Sequence, residues 1–567
     1  MAEYDLVIRG GSVVDGNGGP PRTADVAVVG DRIAEVGRVD GTGKREIQAD
    51  GAVVAPGFVD IHTHYDGQAT WDSRLQPSSW HGVTTVVAGN CGVGFAPAKP
   101  EHHDRLIDLM EGVEDIPGIA LHEGLSWDWL TFPEYMDLLE KRSFDIDLAV
   151  QVPHAALRVH AMGDRAAARE EATPEEIALM AKIAAEAVQA GALGFSTSRT
   201  LNHKSVDGQL TPSYGSGADE LVAIARAVGQ TGTGVLQFVS DFPEPEQEFQ
   251  LIREMVTASG RPLSYSLLQF PFDTDKHKTL LALTDEAQRA GMPIQAQVAV
   301  RGVGLLIGLE NTLNPFMLNS VWQQLADLRP AEQAARMRDP ELRSAILSAQ
   351  TLEKERGRLG GALIHKYELM YELGDPPNYE PSPEDSIAAR AAREGREPVE
   401  LAYDIIARGD MLNVMSANYR FGNLDDVYDM LRHPYALPGL SDGGAHVGTI
   451  CDGSFPTTLL THWVRDRDGA RLELPYVIQR QARDTARAVG LTDRGVLAPG
   501  LRADLNVIDI ENLRLHRPEV RFDLPAGGKR LLQRVDGYLH TVVAGQETYT
   551  DGAETDALPG KLVRGAR

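Results

Sequence analysis

Two histidines, His62 and His64, close an apolar run at residues 53–61 in the order Pro56-Gly57-Phe58-Val59-Asp60-Ile61-His62-Thr63-His64. Residues two apart on a strand project to the same side, so both imidazoles are expected to face one space and to grip a single cation. Far along the chain, Leu440-Ser441-Asp442-Gly443-Gly444-Ala445-His446 follows another apolar run and offers a carboxylate beside paired glycines that permit close backbone approach. Neutral imidazoles suit zinc and similar divalent ions, and a neighbouring carboxylate can hold water and take its proton. Water on such an ion can titrate at about 7, so hydrolysis is the reaction this set implies. Either motif alone reads as a strand end or a turn. Their combination points to a metal site.

The elements that must position these groups alternate strand and helix. Strand-like runs at 53–61, 83–88, 146–152, 193–197, 234–239, 262–268, 293–300 and 436–441 make eight. Several are spaced at about 30 residues, the length of a βα unit, which predicts an α/β chain of the (β/α)₈ barrel class. Chemistry then sits at the C-terminal strand ends, and the first and eighth strands become neighbours on closure. Thr173-Pro174-Glu175-Glu176 is a capping box that opens a helix with Ile177, Met180, Ile183 and Ala187 on one face, ended by Gly191. Gaps near 89–145 and 301–435 are too long for plain loops, and the second is expected to form helical lid or interface elements. Short β-branched runs among turn residues occupy both chain ends. The expected division is 1–55 and 491–567 as one small β domain, with 56–490 as the catalytic barrel.

Composition narrows the partners. The 567 residues carry 81 acidic and 55 basic side chains, a formal charge of −26, which repels nucleic acid and anionic membranes. No run of 18 apolar residues and no basic, then apolar, N-terminal stretch is present, which predicts a cytoplasmic protein acting on a small-molecule substrate. A homo-oligomer is compatible with this reading. Two cysteines, Cys91 and Cys451, are too few for a disulfide framework. Cys91, in Gly89-Asn90-Cys91-Gly92 after the second strand, reads either as a thiolate ligand or as a small residue in a glycine-rich turn. Cys451 reads as structural.

Other groups stand at presumed strand ends. His154 and Arg158 follow the third strand, Arg199 and His203 the fourth, Arg301 the seventh, and His446 lies beyond Asp442. A substrate carboxylate would need such a guanidinium, although arginines mostly form surface pairs. Phe270, Phe272, Trp71 and Trp127 are candidates for an acyl pocket or for packing. His81 reads as packing or capping, and His102 with His103 as a solvated helix face.

The succession PGFVDIHTH, HGVTTVVAGNCG, GALGFST, GLSDGGAH and DRGVLAPGLRADL resembles the amidohydrolase superfamily from end to end, and the GNCG segment resembles its D-aminoacylase (N-acyl-D-amino-acid deacylase) branch. The resemblance implies a metal-bearing (β/α)₈ barrel with a composite β domain that hydrolyses linear amides by metal-activated water. By position it implies His62, His64 and Cys91 as metal ligands and Asp442 as the catalytic carboxylate. The family also draws histidine ligands from the fifth and sixth strand ends, where this chain has Gln237 and Gln269 and lacks an expected lysine. The expectation is therefore one divalent ion, Zn²⁺ by preference, held by His62, His64, Asp442 and Cys91. His154, Arg158, Arg199, Gln237, Gln269 and His446 are the candidates for substrate contact. Alternatives are an amidohydrolase acting on a cyclic amide or peptide, and a barrel that has lost its metal and serves as a non-catalytic protein.

Overall fold

The computed structural model describes residues 3–565 apart from Phe272, Thr274, Arg356 and Phe421. The acyl-pocket candidate Phe272 thus lies outside the described residues. Eight strands follow one another in chain order: β1 (Phe58–Asp60), β2 (Val83–Ala88), β3 (Asp147–Val150, continued by Val152–Pro153), β4 (Gly194–Arg199), β5 (Val235–Ser240), β6 (Leu263–Leu267), β7 (Ile294–Val298) and β8 (Ala436–Pro438). Each pairs in parallel with the next. The ring closes just past β1 and β8, where Thr63 bridges Gly443. There the His64 N–H donates to the Gly443 carbonyl at 2.8 Å and the Asp442 N–H to the His62 carbonyl at 3.1 Å. This is a (β/α)₈ barrel, and its closure seam carries the site.

Between the strands lie, among others, the helices α1 (His103–Glu114), α2 (His154–Met162), α3 (Pro174–Ala190), α4 (Ala218–Gln230) and α5 (Pro245–Ser259). The capping box is present on α3: Glu176 N–H donates to Thr173 Oγ1, and Thr173 N–H donates to the Glu176 carboxylate at 2.8 Å. Its fully buried face is Met180, Ala184, Ala187 and Val188, turned slightly from the expected stripe, with Ile177 and Ile183 at the edge.

Two apolar runs that read as single strands are each shared between different sheets. Val53–Pro56 pairs antiparallel with Leu505–Ile508, while β1 begins one residue later in the barrel. Gly57 marks the break, because a Cβ there would lie 2.2 Å from Thr84 Oγ1. The two segments of β3 divide in the same way at Gln151, one pairing with β2 and the other with β4. All these residues are buried, so hydropathy alone gives no sign of the change of partner.

A nine-stranded sheet joins Tyr4–Val13, Arg22–Val29, Arg32–Gly37, Gly43–Gln48 and Val53–Pro56 to Leu505–Ile508, Tyr538–Val543, Gln546–Thr550 and Ala553–Glu554. Leu6, Ile8, Val26, Val54, Leu505 and Val507 form its own core. The long gap after β7 is more than helical. Val303–Ile307 and Met370–Glu372 flank Leu412–Ala417 in an antiparallel sheet, packed with helices around Phe316, Trp322, Met337 and Tyr403. No helix among the described residues is long and apolar enough to cross a membrane.

Candidate active site

His62, His64 and Cys91 present ligand atoms that all lie within 4.8 Å of one another, and all three are buried. His62 Nε2 is 3.2 Å from Cys91 Sγ and 3.4 Å from Asp442 Oδ1, and His64 Nε2 is 3.6 Å from that same oxygen. Ligands bound tetrahedrally at zinc distances stand about 3.4 Å apart, so these separations fit a shared ion. Both nitrogens of His64 and Asp442 Oδ1 are buried without a hydrogen-bond partner among the described residues. Orphaned polar atoms at such spacing suit a cation better than they suit each other.

The surroundings fix the ligand atoms. His62 Nδ1–H donates to Gln297 Oε1 at 2.7 Å, and Gln297 Nε2 donates to Ser264 Oγ at 2.8 Å, which leaves the His62 Nε2 lone pair facing the site. Burial, with the neighbouring His64 charge, brings His62 down to about 4, so it is neutral at pH 7. Burial would lower His64 too, but Glu114 and Asp442 outweigh it and hold that imidazole well above its ordinary value. A divalent ion and a proton therefore compete for His64. Burial would raise Asp442, but His64, His62 and His446 hold it far below the usual carboxylate range. Burial pushes the Cys91 thiol up to about 12, so thiolate ligation requires the ion.

Backbone geometry sets the loops. Cys91, Asp442 and His446 all adopt left-handed conformations, with φ of 55°, 50° and 50°. Such residues each cost roughly 1–2 kcal/mol and persist where the surroundings impose them. Around Asp442 the constraint is steric: a Cβ on Gly443 would meet Ser78 Oγ at 2.4 Å, and Gly444 stands at φ +89° against the His64 carbonyl. Ser441 Oγ, which donates to the His62 carbonyl at 3.1 Å, also bonds Asp60, whose other oxygen accepts the His62 N–H. Asp442 keeps 23% side-chain exposure although its Oδ1 is buried, so the rest of its carboxyl group faces the barrel mouth.

Glu114 is the residue that sequence reasoning missed. It ends α1, is 1% exposed, and sets Oε1 3.2 Å from His64 Nδ1 and Oε2 3.6 Å from His446 Nε2. Burial pushes it up to about 7, with Asp442 and Asp66 adding to the rise and His64 opposing it. The available signal was its place four residues after Met110 and eight after Leu106, on the buried face of an amphipathic helix. Asp66, two residues beyond His64, is also buried and pushed up to about 6 by burial.

Several candidates for substrate contact are engaged elsewhere. His154 opens α2 with both nitrogens bonded, to Thr197 Oγ1 at 2.8 Å and to Glu220 of α4 at 2.6 Å. Arg158, 2% exposed, ion-pairs with the same Glu220 and donates to the Glu170 carbonyl. Arg199 is clamped by Glu248 of α5 and by the Ser216 carbonyl. Arg301 is buried on Asp452 and the Cys451 carbonyl, with its guanidinium 3.4 Å from the Tyr379 ring centroid. These four pack the barrel because each meets an acid from the next βα unit, Glu220 after β4, Glu248 after β5 and Asp452 after β8. Gln237 accepts the Cys91 N–H at 3.2 Å and so braces the thiol loop. Gln269 donates to the Phe270 carbonyl at 2.6 Å, with its Oε1 buried and without a hydrogen-bond partner among the described residues. His446 faces Asp442 Oδ2 at 3.8 Å. His203 bonds Ser198 at 2.9 Å and is lowered to about 3, first by burial and then by His446 and His64, which places it beside the site.

Among the aromatic groups, Trp127 stacks on His103 at 3.8 Å and edges onto Phe95, so His103 is not on a solvated face. Trp71 packs against Gly67 and Gly124. His81 is buried between Thr457 and the Gln533 carbonyl.

Comparison with known proteins identifies the family. The model of the amidohydrolase family matches residues 45–549. An N-acyl-D-glutamate deacylase of Alcaligenes xylosoxydans xylosoxydans is 28% identical over 517 residues, 90% of this chain and 88% of that protein. The crystal structure of a D-aminoacylase superposes with TM-score 0.66 at 24% identity, covering 99% of this chain and all of that one. The N-acyl-D-glutamate deacylase of Bordetella bronchiseptica, solved with zinc and a phosphonate inhibitor, gives the same score and identity over 99% of each chain. With the family model spanning the whole barrel and most of the C-terminal strands of the nine-stranded sheet, the chain belongs to the amidohydrolase family, as a metal-dependent hydrolase of amide bonds.

Proposed function

We propose that the protein removes the acyl group from N-acyl amino acids, those of D configuration first, by hydrolysis at one divalent ion. The observation that carries this reading is the convergence of His62, His64 and Cys91 with Asp442 Oδ1 between the two imidazoles. The relatives named N-acyl-D-glutamate deacylase and N-acyl-D-aspartate deacylase support the substrate class. Two imidazoles and a thiolate suit zinc. When bound, such an ion polarises the amide carbonyl and makes water acidic enough to attack near neutral pH. Asp442, ionised and partly exposed, accepts the water's proton and returns it to the leaving nitrogen. Gln297 and Glu114 hold His62 and His64 in the orientation that site needs. His446, kept neutral by burial at about 4, faces Asp442 Oδ2 and helps orient the acid.

The test is metal analysis of untagged protein, followed by assay of the loaded enzyme against N-acetyl-D-amino acids, their L forms and cyclic amides. About one equivalent of metal and preferential turnover of the D series are expected. Turnover confined to a ring substrate, or well under one equivalent with no activity restored by zinc or manganese, overturns the reading.

A further inference from the structure

Ser196 and Ser198, two residues apart on β4, share one face of the strand. Ser196 Oγ accepts the Gly92 N–H at 3.0 Å and donates to the Gly89 carbonyl, which braces the loop that bears Cys91. Ser198 Oγ, further along the same face, meets His203 Nδ1 at 2.9 Å. Thr197 between them turns the other way, to His154. One strand end thus holds both a metal-ligand loop and a second imidazole.

Ser198 is fully buried, and its hydroxyl has no acceptor but His203 among the described residues, so it donates to Nδ1. The proton of the neutral imidazole then sits on Nε2. That nitrogen has no hydrogen-bond partner among the described residues and, unlike both nitrogens of His64, is not sealed from solvent. Burial, with His446, His64 and His62 adding and Asp442 opposing, brings His203 down to about 3, so the ring is neutral at pH 7. Its loop is pinned along its length. The Leu201 N–H donates to Asp241 at 2.7 Å, the Thr211 N–H to the His203 carbonyl at 3.3 Å, and the Val206 N–H to the Asp108 carbonyl of α1 at 3.0 Å. A donor held in place reorganises little when negative charge develops beside it.

We propose that His203 is a further catalytic residue, its Nε2–H donating to the carbonyl oxygen of the scissile amide, and that Ser198 is the positioning residue that fixes its tautomer. As the water oxygen adds to the carbonyl carbon, the π pair of the C=O bond moves onto that oxygen and the hydrogen bond strengthens. When the C–N bond breaks, the pair returns to re-form C=O, and His203 keeps its proton throughout. This role requires only that an amide be cleaved, so it holds for a linear or a cyclic substrate.

The test uses the metal-loaded enzyme and whichever N-acetyl-D-amino acid, L form or cyclic amide it turns over. In His203→Leu, kcat is expected to fall by about 10²–10³-fold with KM and metal content unchanged, the signature of a donor used only in the transition state. His203→Gln, which offers an N–H near the same point, should recover roughly tenfold of that loss. Equal losses in the two variants, a loss under about threefold in His203→Leu, or loss of the metal overturns the proposal. Turnover of ring substrates alone would sink the deacylase reading and leave this comparison standing. A second measurement needs no substrate: ¹⁵N NMR of histidine-labelled protein at pH 7, with His203 assigned by its absence from His203→Gln. The proton is expected on Nε2 in the native protein and shared between both nitrogens in Ser198→Ala. A proton on Nδ1 in the native protein overturns the proposal even if no amide is turned over.

Discussion

His64 lies between two carboxylates from distant parts of the chain, its Nδ1 3.2 Å from Glu114 Oε1 and its Nε2 3.6 Å from Asp442 Oδ1. A carboxylate behind a ligating imidazole takes its N–H, fixes the tautomer and raises its basicity. Glu114→Gln keeps the shape but removes that charge. Metal affinity, measured by competition with a chelator, is expected to fall by roughly 10–100-fold, with the fold retained by circular dichroism. Unchanged affinity would assign Glu114 a purely structural place.

The two residues at the closure seam should separate by role. His62→Ala removes an imidazole whose lone pair is aimed by Gln297, so the protein is expected to lose its metal on elemental analysis. Asp442→Asn keeps an oxygen near the imidazoles but cannot accept a proton. It should retain most of the metal while kcat falls by about 10²–10⁴-fold, the usual worth of a general base. Full activity in Asp442→Asn would remove that residue from the mechanism.

Much of this was legible in the chain, and the gaps have physical causes. His62, His64 and Asp442 announce themselves because a strand's two-residue period aims side chains predictably and barrel closure joins the first strand to the eighth. Glu114 escapes that logic: it sits in the insertion between β2 and β3, where no strand end fixes direction. His154 and Arg158 stand just past the third strand, yet Glu220 engages both, because α2 starts at His154 itself. Gln237 stands where a ligand was sought but serves the Cys91 backbone. The divided runs at Gly57 and Gln151 look continuous because two buried strands of different sheets have the same composition.

Gly112 offers a steric test of how α1 supports the mouth. A Cβ there would meet backbone atoms only, Ser205 C at 2.2 Å, Lys204 O at 2.4 Å and Val206 N at 2.4 Å, and backbone cannot swing aside. Gly112→Ala is expected to cost about 1–3 kcal/mol by overpacking and to displace the His203 loop. KM should rise several-fold with metal content unchanged. Gly19→Ala, with nothing within 4 Å, is the control and should leave stability and KM as they were.

Glu380 ties the insertion after β7 to the barrel and predicts the acid response of that contact. Its carboxylate accepts from Arg467 at 2.9 and 3.0 Å and from the Leu424 N–H at 2.7 Å, and it lies 2.9 Å from His462 Nε2. Burial raises its pKa, but His462, Arg467 and the Leu424 amide outweigh that and bring it from 4.5 down to about 2. A carboxylate depressed on folding stabilises the protein above its unfolded pKa and loses that contribution as pH falls toward the folded one. The contribution is at most about 3 kcal/mol, present in full at pH 7 and declining between about 4.5 and 2. Glu380→Gln should therefore lower the urea midpoint at pH 7. The gap to the native protein should hold down to pH 5 and narrow below 4.5, as followed by unfolding curves across that range. A gap that stays constant down to pH 3.5 would show that Glu380 contributes by shape rather than by charge.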